Sequence, residues 1–167
     1  MIKIENLNKD NMHSALELRR KALTEEPLAF HMYEDEDRLF PDEEHIQNFL
    51  DKYGKGIFLA IEGNVMVGMA RGYIEEYKLS THNGWITSFY VDPNYRGKGI
   101  GKDLMRSVLR FLGENGNVRN AFLNVTNSQN EARALYRNFG FVEVGKLPNC
   151  FQKDGIYYDQ LIMARAI

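Results

Sequence analysis

The chain carries Val91-Asp92-Pro93-Asn94-Tyr95-Arg96-Gly97-Lys98-Gly99-Ile100-Gly101-Lys102, a glycine-rich basic turn between an apolar stretch and an amphipathic one. Residues of these types at this spacing make an anion site out of backbone. Glycines at 97, 99 and 101 let the main chain come close to a ligand, and the first amides of the following helix have no intrahelical acceptor, so their N–H groups point outward. A phosphate or pyrophosphate suits such a cradle, with Arg96 and Lys98 placed to add charge-assisted contacts and Lys102 in the same stretch. Two other phosphate loops do not fit. The dinucleotide fingerprint requires glycine where Lys102 stands, and the P-loop requires a longer gap than Gly97 to Gly101 gives and a hydroxyl where Asp103 stands. A strand-turn-helix corner whose glycines only end one element is the bland alternative, and the interleaved basic residues argue against it.

Farther on, Ala132-Arg133-Ala134-Leu135-Tyr136 followed by Phe139-Gly140-Phe141 reads as a helix that carries a tyrosine and ends in a Gly-Phe turn. The segment 96–101 matches the [QR]-x-x-G-x-[GA] pyrophosphate loop, and 132–141 the second signature, of the GCN5-related N-acetyltransferase (GNAT) family. The chain resembles that family, whose members bind acetyl-coenzyme A. Leu18-Arg19-Arg20-Lys21-Ala22-Leu23, Pro27-Leu28-Ala29-Phe30 and Asp154-Gly155-Ile156-Tyr157-Tyr158-Asp159-Gln160-Leu161-Ile162-Met163 look like a subgroup of small bacterial-type acetyltransferases with varied acceptors, so the resemblance covers nearly the whole chain.

The resemblance implies an α/β GNAT fold, with a mixed, mostly antiparallel central sheet splayed at the acetyl-CoA site and helices on both faces. It also implies a single N-acetyltransferase domain over 1–167. Splayed strands leave backbone groups that an extended amide-bearing chain such as pantetheine can pair with. By resemblance the main chain of Phe89 and Val91 holds those amides, and the thioester carbonyl sits against the Phe89 or Tyr90 amide. A well-placed donor to a developing oxyanion contributes about 2.7–4 kcal/mol. Residues 96–101, with Ile100 among them, then anchor the pyrophosphate.

Tyr136 is the candidate general acid, delivering a proton to the departing thiolate; a core tyrosine bonded to a backbone carbonyl is the alternative. Many relatives place an asparagine four residues after the preceding strand's valine, but counting from Val125 gives Gln129. Gln129 is the first choice for an amide contact to the cofactor and Asn130 the second, unless Asn127 and Ser128 merely cap the helix. The base is not legible. Trp85-Ile86-Thr87-Ser88-Phe89-Tyr90 contains no carboxylate or imidazole where many relatives have a glutamate. Candidates are Glu75 or Glu76, His82, and Glu34 or His31, with Ser88 passing a water; each taken singly reads more readily as solvated surface. For the acceptor pocket the resemblance implicates Phe30, Tyr33, Trp85, Tyr157 and Tyr158, with Glu34 or Asp159 attracting an ammonium.

Composition bounds the rest. A chain of 167 residues, 44% hydrophobic and 26% charged, buries a sizeable core and is too short for two ordinary domains. Lys and Arg number 21 against 23 Asp and Glu, so the net charge of −2 points to neither nucleic acid nor an anionic membrane. Cys150 stands alone, no apolar run spans a membrane, and Met1-Ile2-Lys3-Ile4-Glu5 lacks a signal-peptide core, so a cytoplasmic location is expected. No histidine lies near Cys150 in sequence to lower its thiol pKa, so a covalent acyl-cysteine route is not favoured. His13, His45, His82 and the acidic run 34–37 lack metal-ligand spacing, and no metal is expected.

Period-two and helical patterns alternate along the chain. Strands are expected at 2–7, 57–61, 65–77, 85–91, 121–125, 141–146 and 157–166. Helices are expected at 8–26, stopped by Pro27, from near Pro41 to Gly54 or Gly56, at 99–114 and at 128–139. The expected activity is direct transfer of acetyl from acetyl-CoA to a primary amine of a small molecule, without an acyl-enzyme. Acetylation of a protein N-terminus or lysine stays open, as does a non-catalytic acyl-CoA-binding sensor. A homodimer is a further expectation.

Overall fold

The run Ile57-Phe58-Leu59-Ala60 sends alternate side chains to opposite faces of one sheet, and each face has its own core. Ile57 and Leu59 join Met69 and Tyr90 under one layer of helices, whereas Phe58 and Ala60 join Val67, Ala70 and Ile86 under another. The computed structural model describes residues 1–41, 43–115 and 117–167.

Its elements run β1 (Ile2–Asn6), α1 (Met12–Glu25), α2 (Pro27–Phe30), α3 (Ile46–Tyr53), β2 (Ile57–Glu62), β3 (Val65–Ile74), β4 (Asn83–Val91), α4 (Ile100–Glu114), β5 (Asn120–Thr126), α5 (Asn130–Asn138), β6 (Val142–Lys153) and β7 (Ile156–Ala166). Among the described residues seven strands form one sheet in the order β1-β2-β3-β4-β5-β7-β6, and only the β4–β5 pair is parallel. This is the expected mixed, mostly antiparallel sheet. α1 and α3 cover one face, and α4 and α5 the other.

The parallel pair opens partway. Asn83, Gly84, Trp85 and Ile86 pair with Asn120, Ala121, Phe122 and Leu123, and β4 then leaves β5. On its other edge β4 shifts register against β3 between the pairs Arg71↔Thr87 and Met69↔Tyr90, so Ser88 and Phe89 oppose the single residue Ala70. Ser88 sits at φ 52°, in the left-handed region, as a bulged residue often does. The bulge and the splay therefore coincide.

The helices depart from the sequence reading at their ends, for local reasons. α1 begins at Met12 because Asn8 and Asn11 take the preceding amides: the Asn8 amide donates to Asn11 Oδ1 at 2.8 Å and the Asp10 amide to Asn8 Oδ1 at 2.9 Å. Pro27 ends α1 and also opens α2 at its first position, where its missing N–H costs nothing. The helix expected from Pro41 starts at Ile46 after a short 3-10 turn at Glu43–His45; Asp42 lies outside the described residues. β3 stops at Ile74 because its partner starts at Asn83, and residues 75–82 form a turn closed by the Glu75 amide on the Asn83 carbonyl at 3.0 Å. β6 runs past Lys146 to Lys153, with two register shifts against β7.

α4 carries the basic turn at its N-terminus, so its seating fixes the site. Ile100, Leu104, Met105, Val108 and Leu112 form its buried stripe, and Gly84 permits the contact, since a Cβ there would stand 2.7 Å from Leu112 Cδ2. Among the described residues no helix is long and apolar enough to cross a membrane.

Candidate active site

The glycine-rich turn has the geometry its sequence calls for. Gly97 and Gly99 take φ of 79° and 86°, a region costly for other residues, and a Cβ on either would meet nothing within 4 Å, so the requirement is conformational. The first helical amide bonds are those of Lys102 and Asp103 to the Gly99 carbonyl, at 2.9 and 3.1 Å; the Ile100 and Gly101 amides precede them and have no acceptor among the described residues. Asp92 secures the entry: its carboxylate accepts from the Asn94 amide at 3.0 Å and from Lys21 Nζ at 2.5 Å. Burial raises the Asp92 pKa, but the hydrogen bond from Lys21 and the Asn94 amide outweigh it and hold the carboxyl below its usual range.

Between the end of β4, the glycine-rich turn and α5 lies a cleft of about 410 Å³. Of the residues expected at the donor, Phe89, Tyr90, Val91, Arg96, Gly97, Gly99, Ile100, Gly101, Lys102 and Gln129 line it. Lys98, Asn130 and Tyr136 do not. Lys98 turns away to Glu62 at 3.4 Å and over the Tyr95 ring, and Asn130 Oδ1 faces Arg133. Tyr136 stands behind Phe89, the two rings edge to face at 5.7 Å, with Phe141 on its other side. Its hydroxyl meets no hydrogen-bond partner among the described residues, and burial pushes its pKa well up, so it holds its proton at neutral pH.

Glu26 enters this cleft without having been foreseen. Its carboxylate accepts from Arg96 at 2.7 Å and from Gln129 Nε2 at 3.4 Å, while Arg96 Nε donates to the Val91 carbonyl at 3.0 Å. The partners are separated by 70 and 103 positions, so no local pattern signals them.

The other face of the bulge opens on a second pocket, of about 430 Å³. Phe30, His31, Trp85 and Ser88 line it as expected, together with the unforeseen Arg19, Asp37, Arg71, Thr87 and Asn124. The two cavities share Ala29 and meet along β4, where Ser88 faces one and Phe89 the other. Arg19 grips Asp37 through two bonds of 2.6 and 2.8 Å, reaches Ser88 Oγ at 3.0 Å, and lies over the Phe30 ring. Burial pushes the Asp37 carboxyl up, yet the Arg19 hydrogen bonds and charge prevail and hold it below its usual value. His31 stacks on Phe151 at 4.3 Å, its Nε2 is buried without a partner, and burial lowers its pKa to about 4, so the imidazole is neutral.

The remaining expected residues lie elsewhere. Tyr33 and Glu34 line a recess on the far side of α1, and Glu34 accepts from Thr24. Glu75 and Glu76 border a third recess beyond β3, where Glu76 pairs with Lys52 at 3.0 Å. His82 is exposed and offers its carbonyl to the Arg119 amide. Tyr157 is exposed, and Asp159 pairs with Lys146 at 2.6 Å.

Comparison with known proteins places the fold. Residues 17–141 match the model of the acetyltransferase (GNAT) family. Spermine/spermidine N(1)-acetyltransferase of Bacillus subtilis (strain 168) is 31% identical over 97 residues, which are 57% of this chain and 64% of that relative's length. A GNAT-family acetyltransferase from Streptococcus pneumoniae superposes with a TM-score of 0.83 at 18% identity, covering 100% of this chain and 99% of that one. A GNAT superfamily phosphinothricin acetyltransferase from Sinorhizobium meliloti, solved in complex with AcCoA, does so with a TM-score of 0.81 at 22% identity over 99% of this chain and 88% of that one. At these identities the two structures establish the shared fold. With the family model matching well over half of its length, the chain belongs to the acetyltransferase (GNAT) family, whose acyl donor is acetyl-coenzyme A.

Proposed function

We propose that this chain is a one-domain N-acetyltransferase that moves acetyl from acetyl-CoA directly to a primary amine of a small molecule. The observation that carries this reading is the meeting of two cavities at one bulged strand, a glycine- and cation-ended cleft on one side and an aromatic-walled pocket on the other. The donor cleft fits coenzyme A: it offers the acceptor-less amides at 100 and 101 and the Arg96 guanidinium for a pyrophosphate, and unpaired β4 backbone for pantetheine amides.

In this reading the amine nitrogen attacks the thioester carbon from the acceptor side, the C–S bond breaks, and the nitrogen gives up a proton while sulfur gains one. Main-chain N–H at Phe89 or Tyr90 stabilises the oxyanion. Tyr136, uncharged at neutral pH but seated behind Phe89 and outside the cleft lining, is assigned the proton that sulfur gains, which requires the Phe89 ring to move aside when the donor binds. For the proton leaving the amine, the pocket holds neutral His31 and Glu36. A pocket walled by Phe30, Tyr73 and Trp85 favours a small acceptor over the open groove that a polypeptide needs.

The test joins calorimetric titration with acetyl-CoA to thiol release over a panel of amines, repeated with Tyr136→Phe. An enzyme binds the donor in both forms and loses turnover in the variant. A binding protein without catalysis releases no thiol with any amine, and the substitution leaves it unchanged.

A further inference from the structure

Within β3 the sequence Val65-Met66-Val67-Gly68-Met69-Ala70 is followed by a single charge, Arg71, before Gly72, Tyr73 and Ile74. Its guanidinium lies between the rings of Tyr53 and Tyr73, with centroids at 5.1 and 5.0 Å, and Arg71 lines both the acceptor pocket and the recess bordered by Glu75 and Glu76. Among the described residues nothing accepts a hydrogen bond from it and no carboxylate lies within ion-pair distance. The other charges of that pocket are committed. Arg19 is held by Asp37, Arg38 donates to the carbonyls of Asp35 and Asp37, and Glu36 accepts from the Tyr33 amide at 2.8 Å.

Arg71 is half-buried, and a cation partly withdrawn from water without a counter-charge is costly, while five donors in a planar fork match a carboxylate in shape. Burial lowers the Arg71 pKa, as expected for a guanidinium without an anion beside it. Directly across the sheet in register stands Thr87, whose buried hydroxyl also has no partner. Thr87 is the residue before the bulge at which the two cavities meet.

Resting on the acetyltransferase reading above, we infer that the acceptor is an amine that carries a carboxylate, of the amino-acid class, its carboxylate bound by Arg71 and Thr87 and its amine directed to the β4 splay. A polyamine would instead bring further positive charge against an uncompensated guanidinium, which like-charge repulsion opposes.

The test compares thiol release from acetyl-CoA with L-amino acids, their α-amides, their decarboxylated amines and spermidine, using the native enzyme, Arg71→Gln and Arg71→Lys. We expect a carboxylate-bearing amine to exceed its own amide and decarboxylated amine at least tenfold in kcat/KM. Arg71→Gln should raise KM for the acid at least tenfold while leaving KM for the decarboxylated amine and the Kd for acetyl-CoA unchanged. Arg71→Lys, which keeps the charge and loses the fork, should fall between, and it decides the matter if Arg71→Gln does not fold. Preference for the amide, the decarboxylated amine or spermidine, or an equal effect of the substitutions on all acceptors, overturns the inference and leaves the transferase reading intact. Thiol release with none of them, despite acetyl-CoA binding, overturns the transferase reading itself.

Discussion

On the splayed edge of β4 the proposed donor cleft ends in main chain that is contiguous in sequence, residues 91–102, whereas on the opposite face the proposed acceptor pocket gathers Arg19, Phe30, His31, Arg71, Ser88 and Asn124 from separate elements. Backbone recognition needs glycines, a helix start and a cation in a fixed order, so it constrains the sequence locally. Side-chain recognition needs only that the right groups converge, and many sequences achieve that. The first kind of site specifies a cofactor shared across a family; the second is free to vary with the acceptor.

The contrast can be broken most severely at the point where both sides act on the same bond. Tyr136→Phe should cut kcat by about 10²–10⁴-fold, the usual worth of a positioned acid, with the Kd for acetyl-CoA held. Because that hydroxyl has no protein partner among the described residues, the thermal midpoint should barely move. A large loss of donor binding or of stability would place the tyrosine in the packing and not in the chemistry.

Asp37→Asn comes next and bears on the acceptor side alone. It leaves the Arg19 guanidinium, 4% exposed, without its counter-charge, and breaking a buried pair of this kind costs about 3–5 kcal/mol, here toward the lower end because the Asp37 side chain is 16% exposed. Denaturant unfolding measures it. The same substitution should leave acetyl-CoA affinity near its native value, since Asp37 does not line the donor cleft.

Gly99→Ala bears on the donor side alone. At φ 86° an alanine costs about 1–2 kcal/mol of strain, and the turn that relaxes to relieve it misaligns the amides at 100 and 101. We expect acetyl-CoA binding weakened about tenfold by calorimetry. KM for the amine should be unchanged.

The last effect is a pH dependence confined to the acceptor side, absent at neutral pH and growing only as acid is added. His31 titrates near 4 in the folded chain against 6.5 when unfolded, so below 6.5 the unfolded state takes up a proton that the folded state refuses. Stability is therefore fully present above pH 6.5 and declines as the pH falls toward 4. His31→Phe, which keeps the stacking on Phe151, should flatten that part of the profile in urea midpoints measured between pH 4 and 7.

Most strands and helices were legible because each half-buried element stamps its own period on the chain: 57–60 alternates between two cores, and Ile100, Leu104, Val108 and Leu112 return every four residues. The ends were less legible. Whether Asn8 opens a helix or caps a turn depends on where its side chain finds an amide, and the apolar pattern does not record that. Two polar residues of the acceptor pocket did leave a trace. Arg19 interrupts the apolar stripe of α1 beside Ala15 and Leu23, and Arg71 stands alone in an apolar strand. A charge at a position whose period says buried marks a site, since its burial must be compensated by a partner or a ligand.

By itself the sequence determined the glycine-rich turn before α4, the tyrosine helix and the alternation of strands and helices, because each depends on residues within one turn or one period of one another. Only the tertiary structure decided that Glu26 reaches Arg96, that Arg19 is held by Asp37 while Arg71 is held by nothing among the described residues, and that the splay and the bulge of β4 fall at the same place. Those facts rest on contacts between distant segments, whose distances are set by how α1, α2 and the sheet pack together and not by any spacing along the chain.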